Sequence, residues 1–287
     1  MASAPQAATP AATPQSPAAP PAQARPPHAT LQYPLSAQQC SDYGRDGFLI
    51  LRGRFSAAEA AAWQRAASAL QQASDFDPAN LRYDLTTTSG GGDPSARVIW
   101  KIDPFHELHV VFRRLVRDRR ICDALASLYQ GREPRLFKDK LIIKPPHTHG
   151  NQLHQDYTWW QGFPHSLISV LIAVEPANES NGCTVLYPGR HRAGLLTAPG
   201  QFAFPAPELV AGVTPMPVVT QPGDLALFGC FTPHEAGPNN SEHPRCQIFL
   251  TYNDSGDGEH YQAHYQHYAR YVLESLPEDA RASRYLA

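Results

Sequence analysis

Apolar residues change their spacing twice along this chain. Over residues 1–30 they have no spacing at all. The stretch is almost entirely Ala, Pro, Gln, Ser and Thr, with one arginine, Arg25, and one histidine, His28. Such a segment cannot bury enough apolar surface to offset its ordering entropy, so a disordered tail is expected. Helical signals come next. Ser36 ahead of Ala37-Gln38-Gln39 opens a short helix that should stop near Gly44, and Gly47-Phe48-Leu49-Ile50-Leu51 reads as a strand entering the core. Ser56 caps a second helix over residues 57–72, where alanine propensity rather than an apolar stripe carries the assignment. From Arg82 through Gly90-Gly91-Gly92-Asp93-Pro94 a surface loop is expected. No Lys-Ser or Lys-Thr helix follows the glycines, so they do not form a phosphate cradle. Residues 98–102 read as a strand. Leu108, Val111, Leu115, Ile121, Leu125 and Leu128 then recur at helical spacing over residues 106–129.

From Arg135 onward the character changes to short β-rich segments. They cover residues 136–143, 153–159, 167–174, 183–187, 218–219, 224–228 and 246–252, with turn residues at Asn181-Gly182, Pro188-Gly189 and Pro222-Gly223-Asp224 between them. Helices followed by a meander of short strands predict an all-β core with flanking helices, an α+β chain built as a double-sheet, cupin-like jelly roll. A last helix over residues 263–276 is expected to carry His264 and His267 on its surface, with His260 just ahead of it equally exposed. Residues 31–287 should form one domain.

Composition narrows the partners. Of 287 residues, 42% are hydrophobic and 17% charged, which suits one globular domain with a single sizeable core. The net charge of -2 and the lack of any basic stripe argue against nucleic acid or an anionic membrane surface. No apolar run is long enough to cross a bilayer, and the first residues lack the pattern of a secretory signal. Cys40, Cys122, Cys183, Cys230 and Cys246 are odd in number and form no C-x-x-C pair, which points to a reducing cytoplasm rather than a disulfide framework or zinc ribbon. A small molecule is the partner that remains.

The chemistry gathers around Leu153-His154-Gln155-Asp156-Tyr157. Residues two apart in a strand share a face, so His154 and Asp156 would stand side by side with Gln155 turned away. A third ligand would have to come from elsewhere, and His234 follows the strand-like run Leu225-Ala226-Leu227-Phe228. Two histidines and one carboxylate on one side of a metal leave the opposite positions open, the arrangement of non-haem Fe(II) oxygenases. Arg245, heading the run Cys246-Gln247-Ile248-Phe249-Leu250, could grip a dicarboxylate bidentately. Two other classes compete. A zinc hydrolase or isomerase could use the same ligands but has no need of an arginine aimed at a dicarboxylate. A non-catalytic binding protein would not need four such groups intact.

Lys144-Pro145-Pro146, His154-Gln155-Asp156, Asn181-Gly182-Cys183, Pro188-Gly189-Arg190-His191, Pro222-Gly223-Asp224, His234 and Arg245 occur in that order. With them, the stretch over about residues 98–254 resembles the phytanoyl-CoA dioxygenase family. The resemblance implies a double-stranded β-helix and an oxygenase that uses Fe(II), 2-oxoglutarate and O2. It implies His154, Asp156 and His234 as the catalytic iron ligands and Arg245 as the cosubstrate arginine. Lys101 and Lys140 fall at positions that line the cosubstrate site in relatives, whereas Leu171 stands where animal members carry an aromatic that touches the cosubstrate. The reaction implied is decarboxylation of 2-oxoglutarate to succinate coupled to hydroxylation of a C–H bond. A carboxylate at Asp156, rather than Gly or Ala, favours hydroxylation over halogenation. The tail Asn253-Asp254-Ser255-Gly256-Asp257 is similar to that of bacterial hydroxylases of small polar compounds such as 2-aminoethylphosphonate; an acyl-CoA or a secondary metabolite is the alternative. Tyr157, Trp159 and Trp160, just past the ligands, are candidate substrate contacts able to accept an ammonium by cation–π attraction, with plain core packing as the competing role. Asn253, closing a core strand, is a further candidate contact. His147 and His149 sit in a Pro- and Gly-bounded loop and read as solvated or substrate-side groups.

Overall fold

The structure, a computed structural model, describes residues 31–72, 84–87 and 97–267. The expected tail at 1–30, the glycine cluster at 90–92 and the later part of the expected last helix lie outside the described residues.

Helix α1 (Ala37–Asp46) starts at a capping box: Ser36 Oγ accepts from the Gln39 backbone N–H, and Gln39 Oε1 accepts from the Ser36 N–H. It runs past Gly44 and stops at Gly47, whose φ of 85° is the left-handed conformation that ends a helix. Strand β1 (Phe48–Leu51) follows, then α2 (Ala57–Gln72), with Glu59 reaching back to the Ser56 N–H and hydroxyl. A strand β2 (Asp84–Thr87) lies where a loop was expected, paired with β3 (Arg97–Ile102). Four residues with no periodic signal of their own became a strand because a partner edge was there to satisfy their backbone groups. A 3₁₀ turn at His106–Leu108 leads to α3 (Val110–Leu115) and α4 (Arg119–Leu128). The remaining strands are β4 (Pro134–Lys144), β5 (Asn151–His154), β6 (Ile168–Ala173), β7 (Thr184–Leu186), β8 (Met216–Pro217), β9 (Leu225–Gly229), β10 (His234–Ala236) and β11 (Arg245–Asp254), before α5 (Tyr261–His267).

The strands form two antiparallel sheets: a larger one in the order β1-β9-β6-β11-β4-β3-β2 and a smaller one in the order β5-β10-β7-β8. This is the jelly roll that the strand pattern predicted. Alternation along the central strands sorts the core in two. Leu141, Val170, Ile172, Leu227, Ile248 and Leu250 pack outward with residues of α2, α3 and α4. Ile142, Leu171, Ala226, Phe228 and Phe249 point inward and meet Leu186 and Val218. The inward cluster is the smaller of the two, and the same inner face also carries polar groups, which is where a site can form.

Three other expectations differ in detail. The strand expected at 153–159 stops at His154, and Asp156–Trp159 is a 3₁₀ turn. Strand β8 lies at Met216–Pro217 rather than 218–219, although Val218 N–H still donates to Thr184 C=O and Thr220 bridges Ala177. His264 is fully buried rather than on a helix surface, its ring centroid 4.5 Å from that of Phe137. The reason is the sheet edge. Strand β3 pairs with β4 only at residues 141 and 142. Helix α5 covers the edge next to them at Asp139, whose carboxylate accepts from the Tyr261 hydroxyl and whose carbonyl accepts from the Tyr265 hydroxyl.

Candidate metal centre and cosubstrate pocket

His154 ends β5 and His234 begins β10, and the two residues face each other as a cross-strand pair. Their rings lie 4.1 Å apart, centroid to centroid. Gln155 keeps an extended backbone between the strand and the turn, so Asp156 comes back to the side of His154 although it has left the strand. His234 Nε2 is 3.9 Å from Asp156 Oδ1. One ligand atom from each of the three residues lies within 4.8 Å of the others, close enough to share one ion. His234 and Asp156 are buried and His154 is half-buried, so the centre opens beside His154.

The surroundings decide which atoms face the centre. His154 Nδ1 lies 2.7 Å from the Gln152 carbonyl and His234 Nδ1 lies 3.0 Å from the Thr232 carbonyl. A carbonyl only accepts, so each Nδ1 carries the hydrogen and each Nε2 keeps its lone pair for a metal. Ser169 Oγ donates to Asp156 Oδ2 at 2.8 Å and lies 3.1 Å from Thr251 Oγ1, leaving Oδ1 turned to the histidines. Burial, then the facing His234, pushes the His154 pKa down to about 3, and burial likewise lowers that of His234. Burial alone would raise Asp156, but His234, Lys140, His154 and the Ser169 hydroxyl together hold it below the usual carboxylate range. Two neutral imidazoles and one ionised carboxylate are a donor set that suits a divalent transition metal such as Fe(II).

A cavity of about 230 Å³ opens among the starts of β11 and β5 and the end of β4, lined in part by Trp100, Lys144, Asn151, Arg245 and Phe249. Arg245 is 3% exposed and directly opposite Lys144 in the β11–β4 register. It donates to Gln247 Oε1. Burial pushes its pKa down to about 10, so it remains a cation at neutral pH. Lys144 donates to the Gly237 carbonyl; burial and then Arg245 push its pKa down to about 7. Among the described residues no carboxylate lines this cavity, and the Glu175 charge acts on Arg245. Arg245 Nε and Gln247 Nε2 are buried and make no hydrogen bond among the described residues. Two orphaned donors beside a buried cation fit a carboxylate-bearing ligand, because an unmet buried donor costs about 1–3 kcal/mol.

The two other candidate lysines also lie on the inner face. Lys140 Nζ sits 4.9 Å from the Phe249 ring centroid, and its charge acts on all three members of the triad. Lys101 pairs with Ile142, and a bulge in β3 turns Trp100 the same way, with Lys101 Nζ 5.6 Å over the Trp100 ring. Leu171 is wholly buried in the inward apolar cluster.

The aromatic residues past the ligands divide. Tyr157 and Trp160 are buried with Phe137, Leu167 and Cys230, and the Tyr157 hydroxyl donates to the Phe163 carbonyl. Trp159 is partly exposed, stacked on Phe202 at 6.3 Å with Phe204 edge-on beside it. Asn253 is fully buried, its amide donating to the Asp254 and Gly258 carbonyls. Sequence reasoning missed Ser169, Gln247 and the work of Gln155. Ser169 had a visible signal as the polar residue of the otherwise apolar β6, whereas Gln247 did not stand out in a strand that also carries Arg245, Thr251, Asn253 and Asp254.

The chain belongs to the phytanoyl-CoA dioxygenase family, whose model matches residues 43–246. The match begins earlier and ends sooner than the stretch that carried the resemblance. The chain is 32% identical over 157 residues to a methylphosphonate hydroxylase of Gimesia maris, an alignment that covers 55% of this chain and 59% of that protein. It is 26% identical over 226 residues to a 2-aminoethylphosphonate dioxygenase of an uncultured bacterium, covering 78% and 84%. Among solved structures, EctD from S. alaskensis with bound Fe superposes with a TM-score of 0.65 and 28% identity over 80% of both chains. The same protein has been solved with 2-oxoglutarate and 5-hydroxyectoine, superposing at 0.66 with 25% identity over 80% of this chain and 79% of that one. This protein is therefore an oxygenase of the class that uses Fe(II), 2-oxoglutarate and O2. Among the described residues, no helix is long and apolar enough to cross a membrane.

Proposed function

We propose that this enzyme hydroxylates a C–H bond of a small polar compound, with His154, Asp156 and His234 as its iron ligands and Arg245 holding the far carboxylate of 2-oxoglutarate. One observation carries the reading. Three ligand atoms converge within 4.8 Å while both histidines are locked, through Nδ1, with Nε2 free to coordinate. Bound iron and 2-oxoglutarate supply, with O2, the oxidising equivalents: succinate and CO2 are released and one oxygen atom enters the substrate. The chain's own residues do the positioning. Arg245 and Gln247 offer donors to the cosubstrate carboxylate, and Phe249 and Ile142 keep water from its methylene chain. Lys140 adds positive charge beside the centre and Lys101 lies further out on the same face; both suit an anionic cosubstrate. On the substrate side, Trp159 with Phe202 and Phe204 forms the accessible aromatic surface, while Tyr157, Trp160 and Asn253 act from behind by holding the turn and the end of β11.

A phosphonate or a small zwitterion is favoured over an acyl-CoA by the named activities of the relatives and by the similar strand-end sequence. A cytoplasmic setting is supported by five cysteines that are all free thiols. The test is succinate formation from 2-oxoglutarate with added Fe(II), screened over methylphosphonate, 2-aminoethylphosphonate, ectoine, acyl-CoAs and amines. Substrate-stimulated, iron-dependent succinate release with one of the small polar compounds is expected. Stimulation by acyl-CoA alone would overturn the substrate class, and no metal binding by the triad would overturn the site.

A further inference from the structure

The residue between the two neighbouring ligands has no part in the reading above, yet it is wholly buried. Gln155 Nε2 donates to the Phe231 carbonyl at 2.6 Å and to the Gly194 carbonyl at 2.8 Å, while its Oε1 accepts from the Leu196 N–H at 2.7 Å. The amide orientation follows from these partners, because a flipped amide would set its oxygen against two carbonyl oxygens. Both amide hydrogens are used and three backbone groups are satisfied by one side chain.

What the amide joins matters more than the number of bonds. Strands β5 and β10 pair at only two positions, His234↔His154 and Ala236↔Asn151, with an irregularity between them. So short a ladder sets the separation of the ligand segments weakly. Phe231 lies on the connection from β9 to His234, just ahead of Thr232, whose carbonyl orients the His234 ring. Through Phe231, Gln155 joins the segment bearing His154 and Asp156 to the one bearing His234. The neighbouring Tyr157 N–H to Cys230 carbonyl bond, at 3.0 Å, reinforces the same junction. Through Gly194 and Leu196, Gln155 also fastens the stretch that leads on to Phe202 and Phe204.

We infer that Gln155 is a positioning residue that holds His234 at metal-binding distance from His154 and Asp156. The inference rests on the triad being the metal site, as proposed above. The perturbation is Gln155→Met, which keeps the side-chain length and volume but leaves two carbonyls and one N–H without partners. Neighbours that orient metal ligands typically contribute 10–100-fold to affinity. The experiment titrates Co(II) alone into the metal-stripped full chain, well below its melting temperature, and reads both affinity and the visible d–d spectrum.

Wild type should bind one Co(II). Gln155→Met should melt cooperatively, bind Co(II) about 10–100-fold more weakly and show an altered spectrum, with Gln155→Glu no better because its carboxylate opposes the same two carbonyls. Folded Gln155→Met with wild-type affinity and spectrum would overturn the inference while leaving the metal site standing. A wild type that binds no Co(II) at the triad would instead overturn the proposed function. If Gln155→Met does not fold, Gln155→Asn, which keeps the amide but cannot reach all three partners, is judged by the same two outcomes.

Discussion

Replacing Arg245 with Met separates a ligand-binding arginine from a structural one. The guanidinium is 3% exposed, and burial has pushed its pKa down to about 10. Relative to an ordinary arginine, burying that charge costs the fold roughly 3 kcal/mol. Among the described residues no carboxylate lines the cavity, the Glu175 charge offsets only part of this cost, and the hydrogen-bond partner of the guanidinium is a neutral amide, Gln247. Met has similar length and no charge to desolvate. The metal-free, cosubstrate-free variant is therefore expected to melt within a few degrees of wild type, because the relieved desolvation of the charge offsets the donor lost by the buried Gln247 Oε1. Cosubstrate binding should suffer instead. Hydrogen bonds to a charged group contribute about 1.5–3 kcal/mol each. Losing a two-pronged grip should thus raise the 2-oxoglutarate KM by roughly 100-fold or more. Thermal melts of the stripped protein and succinate-formation kinetics at saturating Fe(II) measure the two effects. A variant that melts many degrees lower while its 2-oxoglutarate KM changes less than about 10-fold would refute the reasoning and make Arg245 a structural residue.

Other outcomes follow from the same geometry. His234→Ala should abolish iron-dependent succinate formation while leaving the circular dichroism melt cooperative; undiminished turnover would mean the third ligand is misassigned. Because His154 and His234 are already neutral in the fold, metal affinity should be nearly flat from pH 7.5 to about 6, where an ordinary histidine with a pKa near 6.5 would begin to lose it. A steep fall in Co(II) affinity over that range would contradict their burial. The fold itself should respond: depressed histidine pKa values mean that the unfolded chain takes up protons first, so the stripped protein loses stability as pH drops below about 6.5. His264→Ala should lower stability by about 2–3 kcal/mol through the void left beside Phe137, with 2-oxoglutarate KM unchanged; an unperturbed melt would mean the helix is not packed as described.

Much of this protein is written in short-range sequence. The Ser36–Gln39 capping box, the glycine turn at Pro222-Gly223-Asp224 and the i, i+2 relation of His154 to Asp156 involve residues a few positions apart, so spacing alone declares them. Ser169, the polar residue of the apolar strand β6, carried a local signal of the same kind, but the reading of the sequence passed over it. Sequence spacing could name His234 as a third ligand only by residue type and order, and the resemblance to a family supplied the rest. Tertiary structure decided what depends on distant partners. Residues 84–87 became β2 because β3 offered an edge, and 234–236 became β10 because β5 and β7 lay on either side. His264 was buried because β3 leaves the β4 edge beside Asp139 to be covered by the helix. Gln155 acquired its role because the connection ahead of His234 and the stretch from 194 to 196 both pass within reach of one amide. Pairing and burial are settled by which segments meet, and two segments eighty residues apart in the chain carry no local mark of that meeting.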